Sequence, residues 1–202
     1  MWIKLCGMTQ QQDVECAFEL GADAVGFIFA SSPRQVTPEQ VTQLADGIVG
    51  LKVGVFVNES IDRIRHIRSQ CHLDIIQLHG DESPEYCRQL GGKIMKAVRV
   101  KDRESLKRID DYAKNILILL DAFVPHQRGG TGKHIATELL DVVPDMSRII
   151  LAGGLSPENV PELVRRYQPY GIDVNSGIEA SPGVKDHKKM KTLFRNINVL
   201  MD

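Results

Sequence analysis

The chain has 202 residues, 43% of them hydrophobic and 25% charged, which is enough to bury the core of one ordinary domain. A formal net charge of −1 gives no reason to expect nucleic acid or an anionic membrane surface as a partner. We expect neither a signal peptide nor a membrane span, because no apolar run reaches the roughly 18 residues that a membrane helix needs.

The cysteines indicate a reducing compartment. The four of them are Cys6, Cys16, Cys71 and Cys87, and they form neither a CxxC pair nor a Cys/His cluster with zinc spacing. We therefore expect free thiols, no bound metal and a cytoplasmic protein.

Short β-rich apolar runs alternate with helix-like segments along the whole chain. Strands are predicted at 3–6, 24–29, 52–57, 74–78, 93–99, 116–121, 148–152 and 172–174. Helices are predicted at 10–20, 38–48, 61–70, 84–90, 104–113, 136–142, 157–166 and 185–199.

Helix-start signals support these segments. Thr9 followed by Gln12 fits a capping box. Thr37, Ser83 and Ser156 each stand directly before a proline, which is favoured at the first helical position.

Eight strand–helix units predict a closed α/β barrel of the (β/α)8 type, as a single domain over residues 1–202. Strands that alternate with helices pair in parallel through right-handed crossovers. An open doubly wound sheet is the alternative, but no GxGxxG turn follows the first strand. No linker or low-complexity stretch divides the chain.

In such a barrel the active site lies at the C-terminal ends of the strands. Side chains alternate along a strand, so Lys4 and Cys6 on the first strand share a side opposite to their apolar neighbours. By the same alternation Asp121 and Asp173 point into the barrel from strands six and eight. Because strands one and eight are neighbours, we expect Lys4 to pair with Asp173.

Cys6 and Asp121 each have two interpretations. A lone cysteine at a strand end is usually a small buried hydrophobe. Gly7 and a helix starting near Thr9 favour a reactive thiolate instead. Asp121 follows five apolar residues, where it is either the partner of a buried cation or a general acid or base.

Three glycine-containing loops indicate anion binding. Residues 122–133 form a glycine-rich loop in which Gly130 and its neighbours allow backbone amides to wrap an anion. Gly153 and Gly154 follow strand seven, and Ser176 and Gly177 follow strand eight. Loops at these two strands often build a phosphate site from backbone N–H groups.

Two further strand ends carry polar side chains. Arg34 follows strand two, where a guanidinium could clamp a carboxylate by two hydrogen bonds. His79 follows strand four and is either a structural histidine or a group that orients the reacting ones. Asp173 is a candidate for an electrostatic role.

The order of the motifs resembles the phosphoribosylanthranilate isomerase family. The resemblance rests on "KLCGMT", "GADAVGFIF", "SSPRQV", "VGVFVN", "IQLHGDE", "KAVRV", "LLD", "GGTGK", "LAGGLSPENV" and "DVNSGIEASPGVKDHKKM". It implies a (β/α)8 barrel that performs an Amadori rearrangement in tryptophan biosynthesis, without cofactor or metal.

The resemblance also implies roles for residues. Cys6 would be the general base and Asp121 the general acid, and Arg34 would lie near the anthranilate carboxylate. The glycines and the serine of the last two loops would hold the phosphate of a small-molecule substrate. Whether the protein is a monomer or a homodimer is left open.

Two departures from the family pattern stand out. "HIATELL" follows "GGTGK" where the family usually has a Phe-Asp-Trp-like stretch, and Asn175 replaces a small hydroxyl residue. The alternatives are a related sugar-phosphate isomerase or epimerase, and a non-catalytic phosphosugar-binding barrel.

Overall fold

Eight parallel strands close into a barrel in the order in which they follow one another along the chain. The structure is a computed structural model that describes residues 1–122 and 135–201. The strands are β1 (Trp2–Cys6), β2 (Ala24–Ile28), β3 (Leu51–Phe56), β4 (Ile75–Leu78), β5 (Ile94–Val100), β6 (Leu117–Ala122), β7 (Ile149–Leu151) and β8 (Gly171–Val174). Because β1 pairs with both β2 and β8, the sheet has no free edge. The (β/α)8 prediction is confirmed and the open sheet is excluded.

Helices connect consecutive strands on the outside of the barrel. Within the described ranges they are α1 (Gln11–Glu19), α2 (Pro38–Leu44), α3 (Ile61–Gln70), α4 (Pro84–Leu90), α5 (Arg103–Lys107), α6 (Thr137–Leu140), α7 (Val160–Tyr167) and α8 (His187–Met201). The predicted bounds of α3 and α4 are confirmed. The helix predicted at 136–142 is shorter, and the one predicted at 104–113 ends in a 3-10 turn at Arg108–Asp111.

Two of the four predicted helix caps are confirmed. The side chains of Thr37 and Ser83 accept hydrogen bonds from the backbone N–H groups three residues later. The capping box at Thr9 is wrong, because its hydroxyl donates to the Gly183 carbonyl and α1 begins at Gln11. The cap at Ser156 is wrong because α7 begins only at Val160.

The barrel wall separates two apolar regions. Outward-facing side chains such as Ile3 and Leu5 pack against the helices in the larger core. The smaller core fills the interior and consists of Ala24, Val53, Ile75, Met95, Ala97, Leu119, Ile150 and Ala152. Each fully buried Leu, Ile or Val contributes about 1.5–3 kcal/mol relative to an exposed one. Because Ile3 and Leu5 both lie in the larger, outer core, the predicted alternation of sides along β1 is confirmed.

Two buried ion pairs connect neighbouring segments of the barrel. Lys4 Nζ lies 2.7 Å from Asp173 Oδ2, so the predicted pair between β1 and β8 is confirmed. Lys96 Nζ lies 3.0 Å from Glu82 Oε2 and also donates to the carbonyls of Leu78 and Gly80. The second pair holds the backbone that follows β4, because a buried ammonium needs all its donors satisfied.

A hairpin that the sequence analysis did not predict follows β8. A 3-10 turn at Ser176–Ile178 leads into the antiparallel strands β9 (Glu179–Ser181) and β10 (Val184–Lys185). The hairpin brings Glu179 and Lys185 to within 3.0 Å of each other near the mouth of the barrel.

None of the helices in the two described ranges has both the length and the apolar character that crossing a bilayer requires.

Ser83→Ala should lower the free energy of unfolding by about 1 kcal/mol, because it removes the cap at the start of α4. Ser69→Ala on the exposed face of α3 is the matched control and should leave stability unchanged or slightly raised. Urea unfolding followed by circular dichroism measures both. Equal stability of the two variants would contradict the assignment of the cap.

Candidate active site

A cavity of about 550 Å³ opens at the C-terminal ends of the strands, where the fold predicted it. Its volume is typical of a site for a small molecule. Of the predicted site residues, it is lined by Cys6, Arg34, His79, Asp121, Gly153, Gly154, Asp173 and Ser176. Gly177 lies one residue beyond the lining, and the predicted anion-binding residue Gly130 lies outside the described residues.

Cys6 ends β1 with its thiol beside the Lys4 side chain. Its register partner on β2 is Gly26. A Cβ atom at Gly26 would lie 2.6 Å from Cys6 Sγ and 3.2 Å from Lys4 Nζ. The absence of a side chain at Gly26 therefore leaves room for the thiol of Cys6 and the ammonium of Lys4 in the same space.

Burial raises the pKa of Cys6 above its ordinary value. The Lys4 ammonium acts in the opposite direction without overcoming burial. Burial also disfavours the charge on Lys4, but its contacts, with the Asp173 carboxylate first among them, raise the pKa of Lys4. The resting site thus holds a neutral thiol beside a firmly charged ammonium. The expected support from the α1 dipole is weakened, since that helix starts at Gln11 and not at Thr9.

Asp121 ends a hydrogen-bonded chain of three buried side chains. His79 Nε2 lies 3.1 Å from Asp121 Oδ2, and His79 Nδ1 lies 3.0 Å from Gln77 Nε2. The described side-chain partner of Asp121 is thus a histidine and not a lysine or arginine. A Cβ atom at Gly153 would lie 2.7 Å from Asp121 Oδ1, so the other oxygen faces the loop after β7.

The loops after β7 and β8 bring backbone close to the cavity. Gly153 and Gly154 adopt φ values of 80° and 64°, a left-handed conformation that favours glycine. A Cβ atom at Gly177 would lie 1.9 Å from the Leu155 carbonyl oxygen, so the two loops touch there. The four predicted phosphate-site residues thus converge on one side of the cavity.

Arg34 makes a two-pronged pair, but its partner belongs to this chain. Its Nε and Nη2 each donate to a carboxylate oxygen of Glu179 at 2.7 Å, while Nη1 takes no part in the pair. Lys185 Nζ binds the same carboxylate at 3.0 Å and Asn175 Oδ1 at 3.0 Å. Burial would raise the pKa of Glu179, but Arg34 and Lys185 lower it, which keeps the carboxylate ionised.

An apolar surface lines the cavity on the side of β2 and β3, from which Arg34 also comes. It consists of Ile28, Phe29, Val55 and Val57. Phe29 stacks on Phe56 with ring centroids 5.0 Å apart and planes inclined by 10°. Phe56 belongs to the outer core and holds the ring of Phe29, which is the member of the pair that lines the cavity and that an aromatic ligand can contact.

Sequence reasoning placed Gln77 at the end of strand four without including it among the site residues, and it missed Glu179 and Lys185. Gln77 was visible as a polar residue within an apolar strand. Glu179 and Lys185 are separated from Arg34 by some 145 residues or more, and no local pattern connects them to it.

In the described part of the chain, no three His, Cys, Asp or Glu side chains are grouped so that they could hold a metal ion. All four cysteines are described, and all are free.

Comparisons with known proteins agree on one family. A family model described as N-(5′-phosphoribosyl)anthranilate (PRA) isomerase matches residues 3–196. The N-(5′-phosphoribosyl)anthranilate isomerase of Trichlorobacter lovleyi is 42% identical over an alignment of 198 residues that covers 96% of each chain. The crystal structure of phosphoribosyl anthranilate isomerase from Thermotoga maritima is similar with a TM-score of 0.89 and 35% identity, covering 99% of this chain and 100% of that one.

A further solved structure contains a ligand. It is a phosphoribosyl anthranilate isomerase in complex with reduced 1-(o-carboxyphenylamino)-1-deoxyribulose 5-phosphate. It matches this chain with a TM-score of 0.86 and 35% identity, covering 99% of this chain and 100% of that one.

Alkylation of Cys6 by iodoacetamide should be slow at pH 7 and should rise with a midpoint above that of an ordinary thiol, because burial raises the pKa of Cys6. Mass spectrometry of the peptide that contains Cys6 measures the rate. The same peptide in urea-unfolded protein is the control and should titrate at the ordinary thiol value. A midpoint below that of the unfolded protein would contradict the stated charge balance.

Proposed function

Because the chain belongs to the N-(5′-phosphoribosyl)anthranilate isomerase family, we propose that its cavity converts N-(5′-phosphoribosyl)anthranilate into 1-(2-carboxyphenylamino)-1-deoxyribulose 5-phosphate. This Amadori rearrangement is a step of tryptophan biosynthesis. The observation that carries the proposal is the presence of Cys6 and Asp121 in one cavity, on strands β1 and β6. An acid and a base on different strands can reach a sugar from different sides.

Asp121 acts first, as the general acid. In its protonated form it gives a proton to the furanose ring oxygen, and the bond between that oxygen and C1 breaks. The nitrogen lone pair then forms a double bond to C1, which gives a protonated Schiff base. His79 holds one oxygen of Asp121, which fixes the carboxyl group in the cavity wall.

Cys6 acts second, as the general base. Its thiolate removes the proton from C2, and the electrons of that bond form the C1–C2 double bond of an enolamine. Loss of the proton on O2 and protonation of C1 give the ketone. Since the resting thiol has a raised pKa, the reactive thiolate is a minor form that the Lys4 ammonium stabilises. Asp173 keeps that ammonium in place.

The remaining groups position the substrate. The aromatic ring packs on Phe29, and the Nη1 edge of Arg34 binds its carboxylate while Glu179 fixes the opposite edge. The phosphate binds the loops after β7 and β8, at Gly153, Gly154, Ser176 and Gly177. Gly130 was predicted to bind the same substrate, and its position lies outside the described residues.

The wider setting follows from the same family. The free thiols support a cytoplasmic location, and no step of the proposed reaction requires a cofactor or a metal. One similar structure is described as monomers generated from a dimeric phosphoribosylanthranilate isomerase of Thermotoga maritima. Monomer and homodimer are both open for this chain.

Cys6→Ala and Asp121→Asn should each lower kcat by about 10²–10⁴-fold, the usual contribution of one acid–base group. Turnover of freshly prepared phosphoribosylanthranilate is followed by the loss of its fluorescence. Cys16→Ala is the matched control, because that cysteine lies on α1 outside the cavity. Near-normal turnover of Cys6→Ala would overturn the assignment of the base, and loss of substrate binding in Asp121→Asn would show that Asp121 is structural.

Arg34→Lys should raise KM by about tenfold or more while kcat changes less, because lysine cannot bind Glu179 and the substrate with one planar group. The control is a substrate made with aniline, which lacks the carboxylate. If Arg34→Lys raises KM equally for both substrates, Arg34 does not recognise the carboxylate.

A further inference from the structure

Both ring nitrogens of His79 have a partner within the chain. Gln77 Nε2 lies 3.0 Å from Nδ1, and Asp121 Oδ2 lies 3.1 Å from Nε2. The exposed fractions of Gln77, His79 and Asp121 are 1%, 7% and 3%, so water competes little for these bonds. This row of hydrogen bonds runs from Gln77 on β4 to Asp121 on β6, and all three side chains line the cavity.

The chemistry of an amide fixes the proton on the imidazole. An amide nitrogen can only donate, so Nδ1 of His79 must accept from Gln77. A neutral imidazole then carries its proton on Nε2, where it donates to Asp121 Oδ2. The orientation of one glutamine amide thus determines which tautomer the histidine adopts.

The tautomer in turn makes the two oxygens of Asp121 different. Oδ2 accepts from the ring, which favours the carbonyl form of this oxygen, because a carbonyl oxygen is a better acceptor than the hydroxyl of a carboxylic acid. Oδ1 lies on the side of Gly153, which lines the cavity. The geometry therefore favours Oδ1 as the carrier of a proton that Asp121 delivers to a substrate.

The opposite amide orientation would have a different consequence. If the Gln77 oxygen faced Nδ1, the proton would sit on Nδ1. Nε2 would then accept from a proton on Oδ2, and that proton would point at the ring instead of the cavity. The acid would be present but directed away from the substrate.

We propose that Gln77 is a positioning residue of the reaction: its amide sets the Nε2–H tautomer of His79, which reserves Oδ1 of Asp121 for the transferred proton. This inference rests on the proposed role of Asp121 as the general acid. It goes beyond that role because Gln77 acts through His79 and not on the substrate.

The tautomer of His79 can be read directly in the unaltered protein. Long-range ¹H–¹⁵N correlation spectra distinguish protonated from unprotonated ring nitrogens, and His79→Asn assigns the signal by its loss. The exposed His66 and His72 serve as internal references for rings in contact with solvent. At neutral pH we expect a proton on Nε2 and none on Nδ1 of His79. A proton on Nδ1, alone or together with one on Nε2, would overturn the proposal.

Gln77→Glu tests the consequence for turnover. A carboxylate accepts from Nδ1–H, so the variant should move the His79 proton to Nδ1 or charge the ring. We expect kcat to fall by about 10–100-fold, part of what a general acid contributes, with KM changed less than about twofold. Gln43→Glu on the exposed face of α2 is the matched control and should change neither value.

The results separate this inference from the proposed function. Absence of turnover in the unaltered folded protein would overturn the function, whatever the tautomer. An unchanged kcat in Gln77→Glu, or a loss that lies only in KM, would overturn the positioning role while leaving the function intact. The ¹H–¹⁵N spectrum of the unaltered protein needs neither a substrate nor a stable Gln77 variant. The tautomer of His79 therefore tests the proposal even if Gln77→Glu does not fold.

Discussion

The site depends above all on the closure of the barrel between β1 and β8, where Lys4 and Asp173 form an ion pair inside the wall. The two residues are register partners, and their charged atoms lie 2.7 Å apart with Lys4 fully buried. A lone buried charge costs several kcal/mol, so the pair strongly favours the register that joins the two strands. That register puts Cys6 at the mouth and the loop after β8 beside it.

The same pair also decides how the cysteine behaves. Burial alone would make Cys6 an inert thiol, and the ammonium of Lys4 is the first of the groups that oppose burial and favour the thiolate, with Lys185 acting in the same direction. Gly26 completes the arrangement, since any side chain there would occupy the space shared by the thiol and the ammonium. A base that is mostly protonated at rest is compatible with catalysis, because a weakly acidic thiol becomes a strong base once it ionises.

Around the rest of the cavity, charged groups are held by partners from distant parts of the chain. Arg34 is anchored by Glu179, which Lys185 also binds, and Asp121 is held by His79. Such fixed partners hold each reacting or binding group in one orientation, so that little reorganisation is needed when a substrate arrives. The stacking contact with Phe56 holds the ring of Phe29 at the edge of the cavity in the same way.

The sequence by itself determined the barrel, the inward sides of β1, β6 and β8 and the pairing of Lys4 with Asp173, because these follow from local periodicity and from the order of the strands. It also placed Cys6 and Asp121 at strand ends. Only the tertiary structure decided that Arg34 pairs with Glu179, that Thr9 binds Gly183 instead of capping α1, and that Gln77 binds His79. These contacts depend on distances between residues that are far apart in the chain or on the direction of a side chain at a strand end. Hydrophobic periodicity carries no information about either, whereas the closed backbone leaves each of these groups a restricted set of partners.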